Sequence, residues 1–253
     1  HLSAFSFEAL LKAAGAKYVL GLTATPVRRD GQQPIIFMQC GPIRHTASRP
    51  ESAPADLAVT PQWLSRPIVM PEGTGIQDVF LQVCNDTERT AKVVAEVREA
   101  FGQGRKILVL TERTDHLNAI EEQLVGRVET LFTLHGRMSK KQRSTLICEL
   151  EALPADAPRV ILATGKLVGE GFDHPALDTL VLAMPVSWKG TLQQYAGRLH
   201  REHASKADVR IIDFIDAGHP ALLRMWSKRQ KGYKAMGYRF ADSSSSMELL
   251  TKG

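Results

Sequence analysis

The sequence predicts an α/β protein whose main domain is a parallel sheet with helices on both faces. The first observation is a series of five short apolar runs after residue 105, each of strand length. The second is that segments with helical periodicity separate most of these runs. Strands that are apolar along their whole length are buried on both faces, as they are in parallel sheets.

The alternation of strands and helices is regular from residue 85 onwards. The predicted strands are the apolar runs at 107–110, 128–134, 160–163, 180–183 and 209–213. The helices predicted after them cover 114–124, 139–151, 190–202 and 219–236. One more amphipathic helix is predicted over 87–101, with Asp86 or Thr87 as its N-cap.

The first 84 residues have a weaker periodicity. Their predicted elements are a helix over 2–14, a buried strand over 18–22 and a short helix over 34–38. The proline-rich stretch 47–55 predicts a loop at a domain boundary. The segment 57–69 predicts an extended stretch. Pro61 and Pro67 assign it to a sheet edge, because proline donates no ladder hydrogen bond.

Composition excludes some classes of protein and leaves others open. No apolar run has the length of a membrane span, and the first residues lack the layout of a signal peptide. The three cysteines, Cys40, Cys84 and Cys148, form no CxxC pair. This argues against a zinc site or a disulfide framework and favours a cytoplasmic protein. A net charge of +5 permits a polyanionic partner without requiring one.

The stretch Thr191–Arg201 concentrates polar groups on one helical face. At helical spacing that face carries Gln194, Gly197, Arg198 and Arg201. The face expected to pack inward carries Leu192, Tyr195 and Leu199. Two guanidinium groups beside a glycine suit an anion with several oxygens, of which phosphate is the obvious example. The alternative is a surface helix whose arginines are merely solvated.

Small polar and basic residues follow three of the predicted strands. They are Thr111-Glu-Arg113, His135-Gly-Arg137 and Thr164-Gly165-Lys166, followed by the glycine-rich Gly169-Glu-Gly171-Phe-Asp173. Ligands of open α/β sheets bind beyond the carboxyl ends of the strands. Donor groups with little side-chain bulk suit a phosphodiester backbone at such an edge. Ordinary turn chemistry is the alternative for any one of these residues.

Four segments, taken together and in order, resemble motifs of the superfamily 2 helicases and translocases. They are motif III at Thr23–Thr25, motif IV at Ile107–Arg113, motif V at Ala163–Asp173 and the QxxGRxxR of motif VI at Gln194–Arg201. The resemblance is closest to the DExH-type DNA helicases, which include restriction-enzyme motors and the XPB-like repair group.

The resemblance implies two RecA-like domains, with ATP and Mg²⁺ in the cleft between them and nucleic acid lying across both. It implies catalytic roles for Arg198, Arg201 and Gln194, with the arginines acting as arginine fingers. Residues implied in ATP binding and its coupling to domain motion are Gly171, Asp173, Gly197, Thr23 and Thr25. The strand-end residues expected to hold nucleic acid, DNA in preference to RNA, are Thr111, Arg113, Thr164, Gly165 and His135.

Two features of the family are missing from the sequence. It contains no GxxxxGK[ST] loop to cradle phosphates and no DExH acidic pair to hold Mg²⁺. The domains are therefore interpreted as 1–45, the remnant of a first RecA-like domain; 46–84, a linker; 85–240, the second RecA-like domain; and 241–253, a flexible tail. Such a fragment would need the N-terminal RecA-like domain of the same protein as its partner, and alone would not hydrolyse ATP.

A different class of function stays open for the chain as a whole. A non-catalytic scaffold with a RecA-like domain would bind nucleic acid or a partner protein without turnover. A nucleotide-binding metabolic enzyme fits poorly, because no glycine-rich phosphate loop follows an early strand.

The last predicted helix and two tryptophans are further candidates for contact with nucleic acid. The basic residues assigned to the outer face of that helix are Arg224, Lys228, Arg229, Lys231 and Lys234. This face is either solvated or in contact with phosphates. Trp63 and Trp188 either stack on bases or pack within the protein.

Overall fold

The computed structural model describes residues 9–10, 12–23, 33–46, 54, 56–64, 70–71, 74–165, 174–186, 189–201, 203 and 206–241. The chain divides into two compact units, residues 1–51 and 52–253. The division falls within the proline-rich stretch 47–55. None of the described helices is long and apolar enough to cross a membrane.

The elements after residue 85 follow the predicted alternation. The first unit contains helix α1, Gln33–Cys40. The strands of the second unit are β1 Asp56–Leu64, β2 Lys106–Thr111, β3 Leu131–Leu134, β4 Arg159–Thr164, β5 Thr179–Leu182, β6 Asp208–Asp216 and β7 Arg239–Phe240. Its helices are α2 Ile76–Asn85, α3 Thr87–Gly102, α4 Thr114–Leu124, α5 Lys140–Glu151, α6 Lys189–Leu199 and α7 Pro220–Ala235.

The seven described strands of the second unit form one parallel sheet in the order β3-β4-β2-β5-β6-β1-β7. The predicted fold class is thereby confirmed. β2 lies between β4 and β5, and its pairing with β4 ends at Thr111 opposite Thr164. The carboxyl ends of these two strands therefore stand side by side.

Alternate residues of each strand supply a hydrophobic core on either side of the sheet. On one side, Leu108 and Leu110 of β2 pack in a cluster with residues of α5, α6 and α7. On the other side, Ile107 and Val109 pack with residues of α3 and α4. All four side chains are at most 3% exposed. β2 is apolar along its whole length because helices cover both of its faces.

Helix α3 begins with the predicted cap. The carboxylate of Asp86 accepts hydrogen bonds from the backbone N–H groups of Glu88 at 3.0 Å and Arg89 at 3.1 Å. These two N–H groups have no partner inside the helix, so the side chain supplies one.

The buried strand predicted at 18–22 is absent. Tyr18, Leu20 and Leu22 are more than 80% exposed, and the segment pairs with none of the described strands. An apolar run becomes a buried strand only where a sheet offers it both hydrogen-bond partners and a cover. The described part of the first unit contains no such sheet.

Residues 46–84, interpreted from the sequence as a linker, supply two elements of the second unit. β1 pairs with β6 along its whole length, and α2 contributes to a buried cluster. β1 lies one strand in from the edge, whereas its prolines predicted an edge position. β7 pairs only with Ala58 and Val59, so Pro61 meets no described strand on that side.

Candidate functional site

Helix α6 presents the two faces that the sequence predicts. The inner-face side chains, all at most 4% exposed, are Leu192, Tyr195 and Leu199. On the other face Gln194 and Gly197 are exposed, and Arg198 is half-buried. An amide, a bare backbone and a guanidinium group therefore adjoin within little more than one helical turn.

The regular helix ends earlier than predicted, at Leu199, so Arg201 lies in the turn that follows it. Lys206 explains this end, because its Nζ donates to the carbonyl oxygens of Leu199 at 2.8 Å and Arg201 at 2.7 Å. A lysine that binds the last carbonyls of a helix satisfies acceptors that the helix leaves open. Arg201 remains exposed.

None of the described residues requires a glycine at position 197. A Cβ built at this position would meet nothing within 4 Å, and its φ is not positive. Glycine in a helix interior costs roughly 0.5–1 kcal/mol relative to alanine. An exposed glycine with that cost and no contact that requires it suits close approach by a group from outside the helix.

Two buried arginines hold the connection between β5 and α6. Nε of Arg89 donates to the carbonyl oxygen of Ala183 at 2.9 Å, and Nη1 of Arg229 donates to that of Val186 at 3.1 Å. Both arginines are paired with carboxylates of β6. Arg89 binds Asp216 at 2.6 Å, and Arg229 binds Asp213 at 2.7 Å. The described residues between β5 and α6 are thus held against the next strand of the sheet.

The placement of Arg229 on an exposed basic face was wrong, since this residue is 2% exposed. Arg224, Lys228, Lys231 and Lys234 are exposed as predicted. The sequence did contain a signal for the buried pair. Asp213 and Asp216 lie within an apolar run, and buried carboxylates need cationic partners.

The structure brings Thr111, Thr164 and Gly165 together at the carboxyl ends of β2 and β4. Thr111 is only 3% exposed, and its Oγ1 lies 3.1 Å from Nδ1 of His116. The same oxygen accepts a hydrogen bond from the backbone N–H of Arg113 at 3.4 Å. The Thr111 hydroxyl therefore organises the start of α4, whereas Thr164 is half-buried and keeps surface for a ligand.

His116 stays neutral at neutral pH. Burial, followed by the nearby charge of Arg89, lowers its pKa to about 4. A neutral imidazole can accept a hydrogen bond at Nδ1 from the Thr111 hydroxyl while its other nitrogen carries the proton. No motif or spacing in the sequence singles out this residue.

The other strand-end candidates lie at the same edge of the sheet. His135 follows β3, which neighbours β4, and is half-buried with an Nδ1 atom that has no hydrogen-bond partner among the described residues. Arg113 is half-buried. His135, Thr164 and Gly165 thus lie at the carboxyl ends of two adjacent strands.

Several predicted residues cannot be placed in this site. Thr25, Lys166, Gly169, Gly171, Asp173 and Trp188 lie outside the described residues. Thr23 is exposed in the first unit. Trp63 is half-buried, with its ring centroid 6.3 Å from that of Trp226 in an edge-on arrangement, which favours packing over base stacking.

Most residues at this edge of the sheet fall within the match to a known protein family. Residues 89–203 match the helicase conserved C-terminal domain. The match spans β2 to β5 and α6 together with the strand ends between them.

Two viral proteins are among the relatives. The protein named Probable helicase D10 of Escherichia phage T5 is 26% identical over 244 residues, which are 94% of this chain and 52% of the relative. Protein L396 of Acanthamoeba polyphaga mimivirus, assigned by its name to the ATP-dependent RNA helicases, is 23% identical over 263 residues, with coverages of 100% and 48%. The chain spans about half the length of these two relatives.

A solved structure shares the fold of the second unit. The crystal structure of T4 UvsW superposes with a TM-score of 0.57 and 17% identity over 74% of this chain and 40% of that one. The family match, the helicase relatives and the shared RecA-like fold agree with the motifs, and residues 89–203 are the helicase conserved C-terminal domain of a superfamily 2 helicase-like protein.

Proposed function

We propose that this chain is the C-terminal motor portion of an ATP-dependent superfamily 2 helicase or translocase that acts on nucleic acid. The observation that carries the proposal is the outer face of α6, where the exposed Gln194 and Gly197 adjoin the half-buried Arg198. Arg201 follows in the next turn and is also exposed. This set of donors fits the phosphate oxygens of a nucleotide better than any other ligand class.

Each residue of this face has a chemical role in the proposal. Arg198 and Arg201 donate to the β- and γ-phosphate oxygens and stabilise the charge that develops there during phosphoryl transfer. Gln194 orients the nucleotide or the attacking water. Gly197 lets the phosphates approach the backbone. ATP supplies the transferable phosphoryl group, and the protein supplies its positioning.

The same residues do not fit Mg²⁺. The described part of the chain contains no group of three or more His, Cys, Asp or Glu side chains that could hold a metal ion. The sequence also lacks the loop and the acidic pair that hold phosphates and metal in this family. In the proposal these groups belong to the N-terminal RecA-like domain of the complete protein. The closing of the two domains around ATP then drives movement along the strand.

Nucleic acid is proposed to lie along the carboxyl ends of β2, β3 and β4. Thr164, Arg113 and His135 would contact its sugar-phosphate backbone, with Thr111 and the buried Gly165 supporting them from below. The proposed substrate is DNA in preference to RNA, because the motifs resemble those of DExH-type DNA helicases. The name of L396 assigns that relative to the RNA helicases, so both polymers belong in any assay.

The test uses the complete protein that carries this chain. Arg198→Ala and Arg201→Ala should each lower the kcat of nucleic-acid-stimulated ATP hydrolysis by about 10³-fold. Binding of nucleic acid should stay within about threefold. Arg98→Ala is the matched control, because Arg98 is exposed on α3, and its kcat should be unchanged. A kcat within twofold of wild type in either test variant would contradict the roles given to these arginines.

Assays of nucleic-acid binding and ATP hydrolysis by the isolated chain and by the complete protein distinguish the motor hypothesis from the scaffold hypothesis. A motor portion without its own phosphate loop should bind nucleic acid and hydrolyse no ATP. Strong nucleic-acid-stimulated hydrolysis by the isolated chain would overturn this assignment. A complete protein that binds nucleic acid but never turns over ATP would favour the scaffold.

A further inference from the structure

Three parts of the candidate site meet at the side chain of Tyr195. This residue lies on α6 one turn before Arg198 and is 4% exposed. Its hydroxyl donates a hydrogen bond to Oε1 of Glu112, which follows β2, at 3.4 Å. It also occupies the space beside Gly165, which follows β4. One side chain therefore joins the helix of the arginines to two adjacent strand ends.

Tyr195 explains why residue 165 is glycine. A Cβ built on Gly165 would overlap the Tyr195 hydroxyl oxygen, and would lie 2.7 Å from Oε1 of Glu112 and 3.1 Å from Cζ of Tyr195. The carboxylate ends a flexible side chain and can move aside. The tyrosine ring packs in the core cluster with Leu192 and Leu199 of the same helix, so displacing it disturbs close packing around α6. Residue 165 is thus glycine because of a neighbour inside the protein. Residue 197, by contrast, is proposed to be glycine because of a ligand outside it.

Packing contributes more to this junction than the hydrogen bond does. A separation of 3.4 Å exceeds the roughly 2.5–3.0 Å of a strong O–H···O bond. Burial, together with the adjacent Glu112, raises the pKa of Tyr195, so its hydroxyl keeps the proton that it donates. Desolvation of the carboxyl group raises the pKa of Glu112, although the residue keeps exposed surface.

We propose that Tyr195 is a positioning residue that holds the arginine face of α6 in a fixed register with the strand ends after β2 and β4. This inference rests on the proposed function and extends it. A shift of the backbone at Thr164 and Gly165 on binding nucleic acid would be passed through the Tyr195 ring to Arg198, three residues along the same helix. Tyr195 touches neither substrate.

A suppressor experiment on the chain itself tests the contact. Gly165→Ala should lower the thermal midpoint by about 4 °C or more, because the new methyl group displaces the Tyr195 ring. Tyr195→Phe in the same molecule removes the overlapping oxygen and should recover at least half of that loss. Tyr233→Phe is the matched control, since it also removes a buried hydroxyl, and should recover nothing. Additive effects of Gly165→Ala and Tyr195→Phe would overturn the contact.

The complete protein tests the positioning role. Gly165→Ala should reduce the nucleic-acid-stimulated kcat about tenfold or more, and adding Tyr195→Phe should restore it to within about threefold of wild type. If residue 165 acted only by touching phosphate, removing an oxygen from Tyr195 would restore nothing. Gly165→Ala with Tyr233→Phe should stay at the reduced rate.

The possible failures are distinguishable. A wild-type protein without nucleic-acid-stimulated hydrolysis would refute the proposed function, and the positioning role with it. A stimulated wild type whose Gly165→Ala rate is not restored by Tyr195→Phe would refute the positioning role alone. Should Gly165→Ala give no folded protein, the double variant is expected to fold, and its failure to do so would also overturn the inference.

Discussion

Arg229 donates a hydrogen bond from Nε to Oδ2 of Asp213 across 2.7 Å, and both residues are at most 2% exposed. Tyr233 donates to the same oxygen at 2.7 Å. Arg229 also holds the carbonyl oxygen of Val186, in the connection that leads into α6. The pair therefore ties α7, β6 and the described residues that follow β5 into one buried unit.

Breaking this pair on one side should destabilise the chain strongly. Arg229→Met leaves the carboxylate of Asp213 buried without a cation, which should lower the free energy of unfolding by about 3–5 kcal/mol in urea titrations. Adding Asp213→Asn should recover part of the loss, because no unpaired charge remains. Arg224→Met, exposed on the same helix, should change it by less than about 0.5 kcal/mol. A loss below about 1 kcal/mol for Arg229→Met would show that the pair matters little.

His116 should make stability depend on pH. Its pKa is about 4 in the folded chain against an ordinary 6.5, so the unfolded chain takes up a proton first as pH falls. Stability should be complete above pH 6.5 and decline below it, by about 2 kcal/mol between pH 7 and pH 5. His116→Gln should remove this part of the slope in urea titrations at the two pH values, and His45→Gln, at an exposed site, should not. An unchanged slope in His116→Gln would contradict the buried neutral imidazole.

Gly197→Ala should separate stability from activity. Alanine is the better helix former and meets none of the described residues within 4 Å, so the chain should gain about 0.5–1 kcal/mol in free energy of unfolding. In the complete protein the same methyl group should obstruct the approach of phosphates and lower kcat/KM for ATP about tenfold or more. Unchanged kcat/KM would mean that nothing approaches this glycine closely.

The exposed basic residues of α7 should contribute unequally to nucleic-acid binding, depending on their position along the helix. A helix that follows a parallel strand starts at the carboxyl edge of the sheet and runs away from it. Arg224 and Lys228 are therefore nearer the proposed nucleic-acid path than Lys231 and Lys234. Replacing the first pair by Gln should flatten the salt dependence of duplex binding by about 0.9 in log–log slope per lost phosphate contact, and replacing the second pair should leave it unchanged. Equal effects of the two pairs would show that distance along α7 is irrelevant.

Replacing the cap of α3 should have a small and local cost. Asp86→Ala removes the acceptor of two backbone N–H groups and should cost about 1 kcal/mol of stability, whereas Asp86→Asn should keep most of it. Urea titrations of the two variants provide the comparison. Equal losses in both variants would mean that the negative charge, and not the hydrogen bonding, is what matters.

Much of the second unit could be predicted because its pattern is local. The helix 114–124 was predicted with the bounds that the structure has, since periodicity and length are properties of neighbouring residues. The inner and outer faces of α6 follow from spacing alone. The apolar run at 18–22 shows the limit, because burial of a strand also requires partners that lie elsewhere in the chain.

Arg229 shows the same limit for a single residue. It is spaced three residues after Trp226 and four before Tyr233, which is the buried face of α7, yet its charge led to an exposed assignment. Its burial is favourable only because β6 places Asp213 beneath it. The sequence by itself determined the strands and helices between residues 87 and 236, the two faces of α6 and the helicase motifs. Tertiary structure alone decided the buried arginines and the junction of Tyr195, Glu112 and Gly165, because these contacts join residues far apart in the chain that only the order of the strands brings together.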